Sequence, residues 1–275
     1  MNKPQSASDA KTPEQPTETT NFTKARAKLS FDRMIEHGAK MGMPNPLFHC
    51  ADRAAKATIH IDGKDYINFS TYDYLDINGH PEITEAVTAT AKVYGTSAGA
   101  SRLVGGERVP HRELEQALCD FLGTEDCIAY VSGHATNVTT LGFLFGPRDL
   151  ILHDNLAHNS LAQGARLSGA TRFSYQHNSC EDLERLLKAK RAEHKNCVIV
   201  TEGLFSMDGN IPDIPRLVEL KKQYNCMLMV DEAHSLGVLG EHGRGVAEYF
   251  NVDPSDVDLW MSTLSKTLCG TSHKR

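Results

Sequence analysis

Lys266 lies among small and hydroxyl residues in STLSKTLCG (262–270), directly after an apolar run. Desolvation lowers a lysine's pKa and frees its amine to attack a carbonyl and form an imine. The same Ser-Lys pair on an exposed loop would be a plain surface lysine. Asp231 closes a second apolar run, in VDEAHSLG (230–237). A carboxylate buried there needs a cationic or hydrogen-bonding partner. A protonated pyridine nitrogen is such a partner, and the ion pair keeps an electron-withdrawing ring cationic. His234, three residues on, is placed to reach a phenolic oxygen of that ring or a substrate. Ser132-Gly133-His134 leads into a helix. It reads either as a phosphate cup of unpaired N–H groups or as an ordinary strand-to-helix turn.

Two other chemistries are set aside. His153 and His158, in HDNLAHNS, lack the i, i+4 spacing and the further ligands of a metal site. Asp231-Glu232-Ala233-His234 spells the acidic box of a helicase-type ATPase, but the chain holds no G-x-x-x-x-G-K-[ST] phosphate loop.

The elements that must position these residues alternate between strand and helix. A helix is expected from about Phe31 to Gly42, then a hairpin in TIHIDGKDYINF around Asp62-Gly63-Lys64. Pro81 opens a helix to about Tyr94, and Leu114, Leu118 and Leu122 share a face of the next, stopped by Gly123. CIAYVS (127–132) reads as a buried strand. DLIL (149–152), RFSY (172–175), CVIVTE (197–202), CMLMVD (226–231) and VDLWMS (257–262) read as further strands. Helices are expected from about His158, over 181–193 and from Pro215 to Tyr224. VIVT and MLMV are apolar on both faces, the pattern of parallel strands covered by helices. Ligands of such sheets bind beyond the carboxyl ends of the strands, where all the residues above fall.

The chain has 275 residues, 40% hydrophobic and 23% charged, with a net charge of −6. That composition suits an ordinary globular protein and offers no general attraction to nucleic acid or anionic lipid. No apolar run is long enough to span a bilayer. Residues 1–22 are polar and read as a disordered tail without a signal peptide. The seven cysteines form no C-x-x-C pair and read as reduced thiols of a cytoplasmic protein.

Eight segments in order resemble the α-oxoamine synthases, fold-type I enzymes that use pyridoxal 5'-phosphate (PLP). They are NFSTYDYLD, GTSAGASRLVGG, HRELEQALCDFLG, AYVSGHATN, LILHDNLAHNS, TEGLFSMDG, VDEAHSLGVLGEHGRG and STLSKTLCG. The resemblance runs from about Asn68 to Gly270. It implies an α/β fold, the large domain of a fold-type I PLP-dependent transferase, with a mostly parallel sheet flanked by helices. The expected divisions are 1–22, 23–68 and 69–275. Lys266 matches the Schiff-base lysine, Asp231 the partner of the pyridine nitrogen and His158 the histidine that stacks on the ring. His234 and Ser206 match groups near the phenolic oxygen. Ser132, Gly133, His134 and Thr263 match phosphate-binding positions, and Glu202 matches an acidic residue beside the site. Two departures are Asp73, where the family often has Asn, and Ser265, where Gly often precedes the lysine.

The implied activity is an acyltransferase reaction: an amino acid condenses with an acyl thioester and loses carboxylate to give an α-amino ketone. GTSAGASRLVGG resembles a segment near the family's subunit interface, so a homodimer is expected. Family members continue past the lysine through a strand that lies inside the sheet and a C-terminal domain with a substrate-binding arginine. The chain therefore reads as incomplete at its C-terminus and, alone, as unstable or inactive. The alternatives are PLP-dependent amino transfer or aldol cleavage, and a non-catalytic partner of a longer homologue.

Overall fold

The computed structural model describes residues 26–43, 45 and 47–270. The tail expected over 1–22 lies outside them. The chain divides into two units, Met1–Cys50 and Ala51–Arg275. In the first, helix α1 spans Arg26–Lys40. In the second, strands β1 (Thr58–Ile61) and β2 (Lys64–Ile67) pair antiparallel. Their turn places Asp62 and Gly63 at φ 51° and 76°, the left-handed pair that a two-residue hairpin needs.

Helices α2 (Pro81–Tyr94), α3 (Val109–Leu122) and α4 (Gly133–Leu144) follow. Between α2 and α3, Arg102–Gly106 make a π-helical turn. Strand and helix then alternate: β3 (Leu150–Asp154), α5 (Asn159–Leu167), β4 (Thr171–Tyr175), α6 (Cys180–Lys190), β5 (Cys197–Glu202), α7 (Ile214–Gln223), β6 (Met227–Asp231), α8 (Val246–Phe250) and β7 (Leu259–Met261). The five strands β3 to β7 form one parallel sheet, in the order β4-β3-β5-β6-β7.

The sheet's period of two divides its apolar residues between two cores. Leu150, Leu152, Ile199, Leu228 and Val230 pack with Leu183 and Leu187 of α6 and Leu217 and Leu220 of α7. Their alternates Ile151, Val198, Val200, Met229 and Met261 pack with Leu141 of α4 and Leu161 and Ala165 of α5. Runs apolar on both faces are thus buried on both faces, as expected of covered parallel strands.

One expected strand is absent. Residues 127–132 carry no strand, and Ile128 and Val131 are exposed. An apolar run becomes a strand only where a neighbouring backbone takes up its N–H and C=O groups. Here side chains do so instead: Ala129 donates its amide to Glu115 Oε1 at 2.8 Å, and its carbonyl accepts from Arg102 Nη1 at 3.4 Å. A cavity of about 700 Å³, lined by Ile128 and Tyr130 on one side and by Leu259, Trp260 and Met261 on the other, borders this segment. The Trp260 indole donates to the Pro254 carbonyl at 2.9 Å.

Candidate active site

Strand register places two carboxylates side by side at the carboxyl end of the sheet. Glu202 of β5 pairs with Asp231 of β6, and Asp231 with Met261 of β7. The loop after β7 then carries Thr263, Ser265 and Lys266. The site is thus assembled from consecutive strand ends, where a parallel sheet leaves its loops free.

Lys266 Nζ stands 2.8 Å from His234 Nε2, and His234 Nδ1 stands 2.8 Å from the Tyr74 hydroxyl. Tyr72 lies against the same cluster, its ring centroid 5.7 Å from the amine. Burial lowers the pKa of Lys266, against the pull of Asp231 and Glu202. Burial, helped by the charges of Lys266 and His158, pushes His234 down to about 4. Near neutral pH a neutral imidazole therefore faces a desolvated amine, an arrangement suited to holding and passing a proton.

Asp231 is buried, and burial raises its pKa. Its Oδ1 accepts from the Ala233 amide at 2.9 Å and its Oδ2 from Asn137 Nδ2 at 2.8 Å. Glu202 is pushed up to about 7 by burial and then by the charge of Asp231. It accepts the backbone N–H of His158 at 2.5 Å, and so fixes the residue that caps α5. The His158 ring stays exposed; its Nδ1 lies 2.6 Å from Ser160 Oγ.

At the start of α4, Ser132 Oγ caps the helix by accepting the Ala135 amide at 3.1 Å, and the Ser132 carbonyl accepts that of Thr136. The first-turn amides of Gly133 and His134 are left for an outside acceptor. A side chain at Gly133 would bring its Cβ to 3.1 Å from Thr263 Cβ. Glycine lets the turn approach the 263–265 loop without displacing Thr263. Thr263 Oγ1 and Ser265 Oγ stand 2.9 Å apart there.

Most of the residues picked out by type and spacing come together, Lys266 with His234 and Ser132 and Gly133 near Thr263, and Glu202, which the resemblance added, lies beside Asp231. The His134 ring meets that of His158 edge to face at 6.3 Å. Ser206 lies on the exposed loop after β5, and among the described residues no hydrogen bond ties it to the cluster. Asp73, noted as a departure, spends its carboxylate on the amides of Ile77 and Asn78. Its charge builds that turn. Four participants escaped the sequence reading: Tyr72, Tyr74, Asn137 and Ser160. Asn137 and Ser160 carry no local signal, since their contact exists only where α4 meets α5.

These groups match the parts of one molecule. An imine-forming amine, a buried carboxylate, an exposed imidazole and a hydroxyl-lined turn with free amides fit the carbonyl, pyridine nitrogen, ring face and phosphate of PLP.

The family model for aminotransferases of class I and II matches residues 64–271. An 8-amino-7-oxononanoate synthase of Treponema denticola is 42% identical over 208 residues, 76% of this chain and 52% of that protein. The serine palmitoyltransferase of Sphingomonas wittichii superposes with a TM-score of 0.85 at 31% identity, over 92% of this chain and 62% of that one. A serine palmitoyltransferase from S. paucimobilis with a bound PLP–myriocin aldimine superposes with a TM-score of 0.85 at 28% identity, over 92% of this chain and 63% of that one. The chain spans about half the length of the curated relatives it matches.

Proposed function

Because the chain belongs to the aminotransferase class I and II family, we propose that it binds PLP through Lys266 and serves as an α-oxoamine synthase. The reaction is the condensation of an amino acid with an acyl thioester, with loss of carboxylate, to give an α-amino ketone. The observation that carries this reading is the desolvated Lys266 amine beside the neutral His234 and the buried Asp231. The likeness to 8-amino-7-oxononanoate synthase and serine palmitoyltransferase supports acyl transfer over amino transfer.

When bound, PLP supplies an electron-withdrawing ring that stores the charge left by a departing α-proton. The chain's own residues do the rest. Lys266 would hold the cofactor and move the α-proton, a role that burial favours by lowering its pKa and that His234, 2.8 Å away, supports. Asp231, buried at the end of β6, would pair with the ring nitrogen and favour its cationic form. His158 limits movement of the ring. His234, held by Tyr74, orients the amine and the incoming substrate. Ser132, Gly133, His134 and Thr263 grip the phosphate. Glu202 fixes His158, and Ser206, on the loop after β5, is the family's match for a group near the phenolic oxygen.

A second copy of the chain is the proposed partner. Helix α2 has no buried residue although Ile83, Val87 and Val93 are apolar, and Leu103 and Val104 of the π-helical turn are exposed as well. Apolar surface of that extent marks an interface. Among the described residues no helix is long and apolar enough to cross a membrane, and the seven free cysteines favour a reducing, cytoplasmic setting.

Reduction of the PLP-loaded protein with borohydride, followed by peptide mapping, tests the site. Label confined to Lys266 is the expected result; label absent or spread over surface lysines would overturn it. Product analysis then separates the chemistries, because amino transfer yields a keto acid and needs no thioester.

A further inference from the structure

Asn137 is fully buried on α4, and it spends both hydrogens of its side-chain amide. One goes to Asp231 Oδ2 at 2.8 Å and the other to Ser160 Oγ at 3.0 Å. The Ser160 hydroxyl, equally buried, accepts from Asn137, so its own hydrogen is free to point the other way. It points at His158 Nδ1, 2.6 Å distant. The Ser160 amide donates to the same nitrogen at 3.2 Å. Two donors therefore converge on Nδ1, and the proton of the neutral ring sits on Nε2.

The orientation of the amide is not neutral in cost. Asn137 Oδ1 is buried with no hydrogen-bond partner, a loss that native structures seldom tolerate without a return. The opposite orientation would set that oxygen against the Asp231 carboxylate. Gly164 makes the bridge sterically possible, since a Cβ there would stand 2.7 Å from the Asn137 carbonyl oxygen. Helix α5 can therefore bring Ser160 against α4.

We propose that Asn137 is a positioning residue that joins, through one amide and the Ser160 hydroxyl, the two groups that grip different parts of the cofactor: the Asp231 carboxylate and the His158 ring. It stabilises the ionised form of the buried carboxylate and, through the serine, sets both the tilt and the proton position of the imidazole. Its consequence for the cofactor rests on the PLP reading above; the relay itself exists without any cofactor.

Nitrogen-15 NMR of the histidine rings in the cofactor-free protein tests the relay directly. The wild-type spectrum should show His158 protonated on Nε2, with an Nδ1 resonance displaced by strong hydrogen bonding. In Ser160→Ala that resonance should move toward the unbonded position. Asn137→Asp should move it by the same amount, because the new carboxylate turns the serine hydroxyl away from the ring. The double variant should add nothing. A wild-type proton on Nδ1, or an Asn137→Asp spectrum unchanged where Ser160→Ala moves, would overturn the proposal. A residue that merely packed would leave Nδ1 untouched. Asn137→Leu, close in volume, supplies the second readout: PLP affinity should fall on the order of 10- to 100-fold, the loss of one hydrogen bond to a buried charge. Wild-type-like affinity in that variant would also overturn it, whereas a wild type that forms no Lys266 adduct would overturn the PLP reading instead.

Discussion

Two parts of the second unit are built on opposite terms. From Leu150 to Met261 the sheet is closed: Leu150, Ile151 and Leu152 are wholly buried, and helices cover both faces. From Lys64 to Val131 the chain is open. Phe69 is 94% exposed, Leu103 is 100% exposed and α2 buries nothing. Apolar content does not separate the two; what differs is whether the chain supplies the other side of each contact. The candidate site straddles the division. Asp231 ends a strand of the closed part and Lys266, His234 and His158 lie on loops after its strands, while Tyr72 and Tyr74 reach them from the open part. Chemistry that depends on fixed geometry rests on the buried part, and the exposed part adds the flanking aromatic groups.

The largest expected effect breaks this comparison most sharply. Leu150→Ala should destabilise the protein by about 2–5 kcal/mol in denaturant titration, whereas Leu103→Ser should stay within about 0.5 kcal/mol. Equal losses would mean that the open part is buried in solution. Gly164→Ala comes next, at about 1–3 kcal/mol, because the added methyl forces α5 away from α4. Near-wild-type stability there would show the closed part to be looser than its contacts imply. Tyr74→Phe should cost less than about 1 kcal/mol, with Lys266 still labelled by PLP and borohydride. Loss of labelling would show that the open half is indispensable to the chemistry of the closed one.

Stability should also slope with pH. Burial pushes Glu232 up to about 7 from an ordinary 4.5, as burial and Asp231 do for Glu202. The unfolded chain ionises these groups first. Their contribution to stability is present below pH 4.5 and is lost as pH rises through about 7. His234 runs the other way: pushed down to about 4, it contributes above pH 6.5 and loses that contribution as pH falls toward 4. Glu232→Gln should therefore flatten the fall in Tm between pH 4.5 and 7. An unchanged slope would place that carboxyl in water rather than beside Gly203 and Gly245, where the structure puts it.

The parallel sheet was legible because strands such as CVIVTE announce burial on both faces by their own composition. CIAYVS has the same look and is no strand, since pairing depends on a neighbour and not on the run itself. Lys266 and Asp231 stood out for a similar reason: an ionisable residue at the end of an apolar run is unusual wherever it occurs. Asn137 and Ser160 did not, because neither means anything until two helices meet at Gly164. Tyr74 is 160 positions from His234, and nothing local to either residue announces the other.

Trp260 is the only tryptophan in the chain, and β7 sets it at the free edge of the sheet, on the wall of the 700 Å³ cavity. The protein's indole emission therefore comes from that edge alone. Whatever settles along it, whether a peptide strand, a second copy or a small ligand, will change the polarity around a single fluorophore and report itself in the colour of the light.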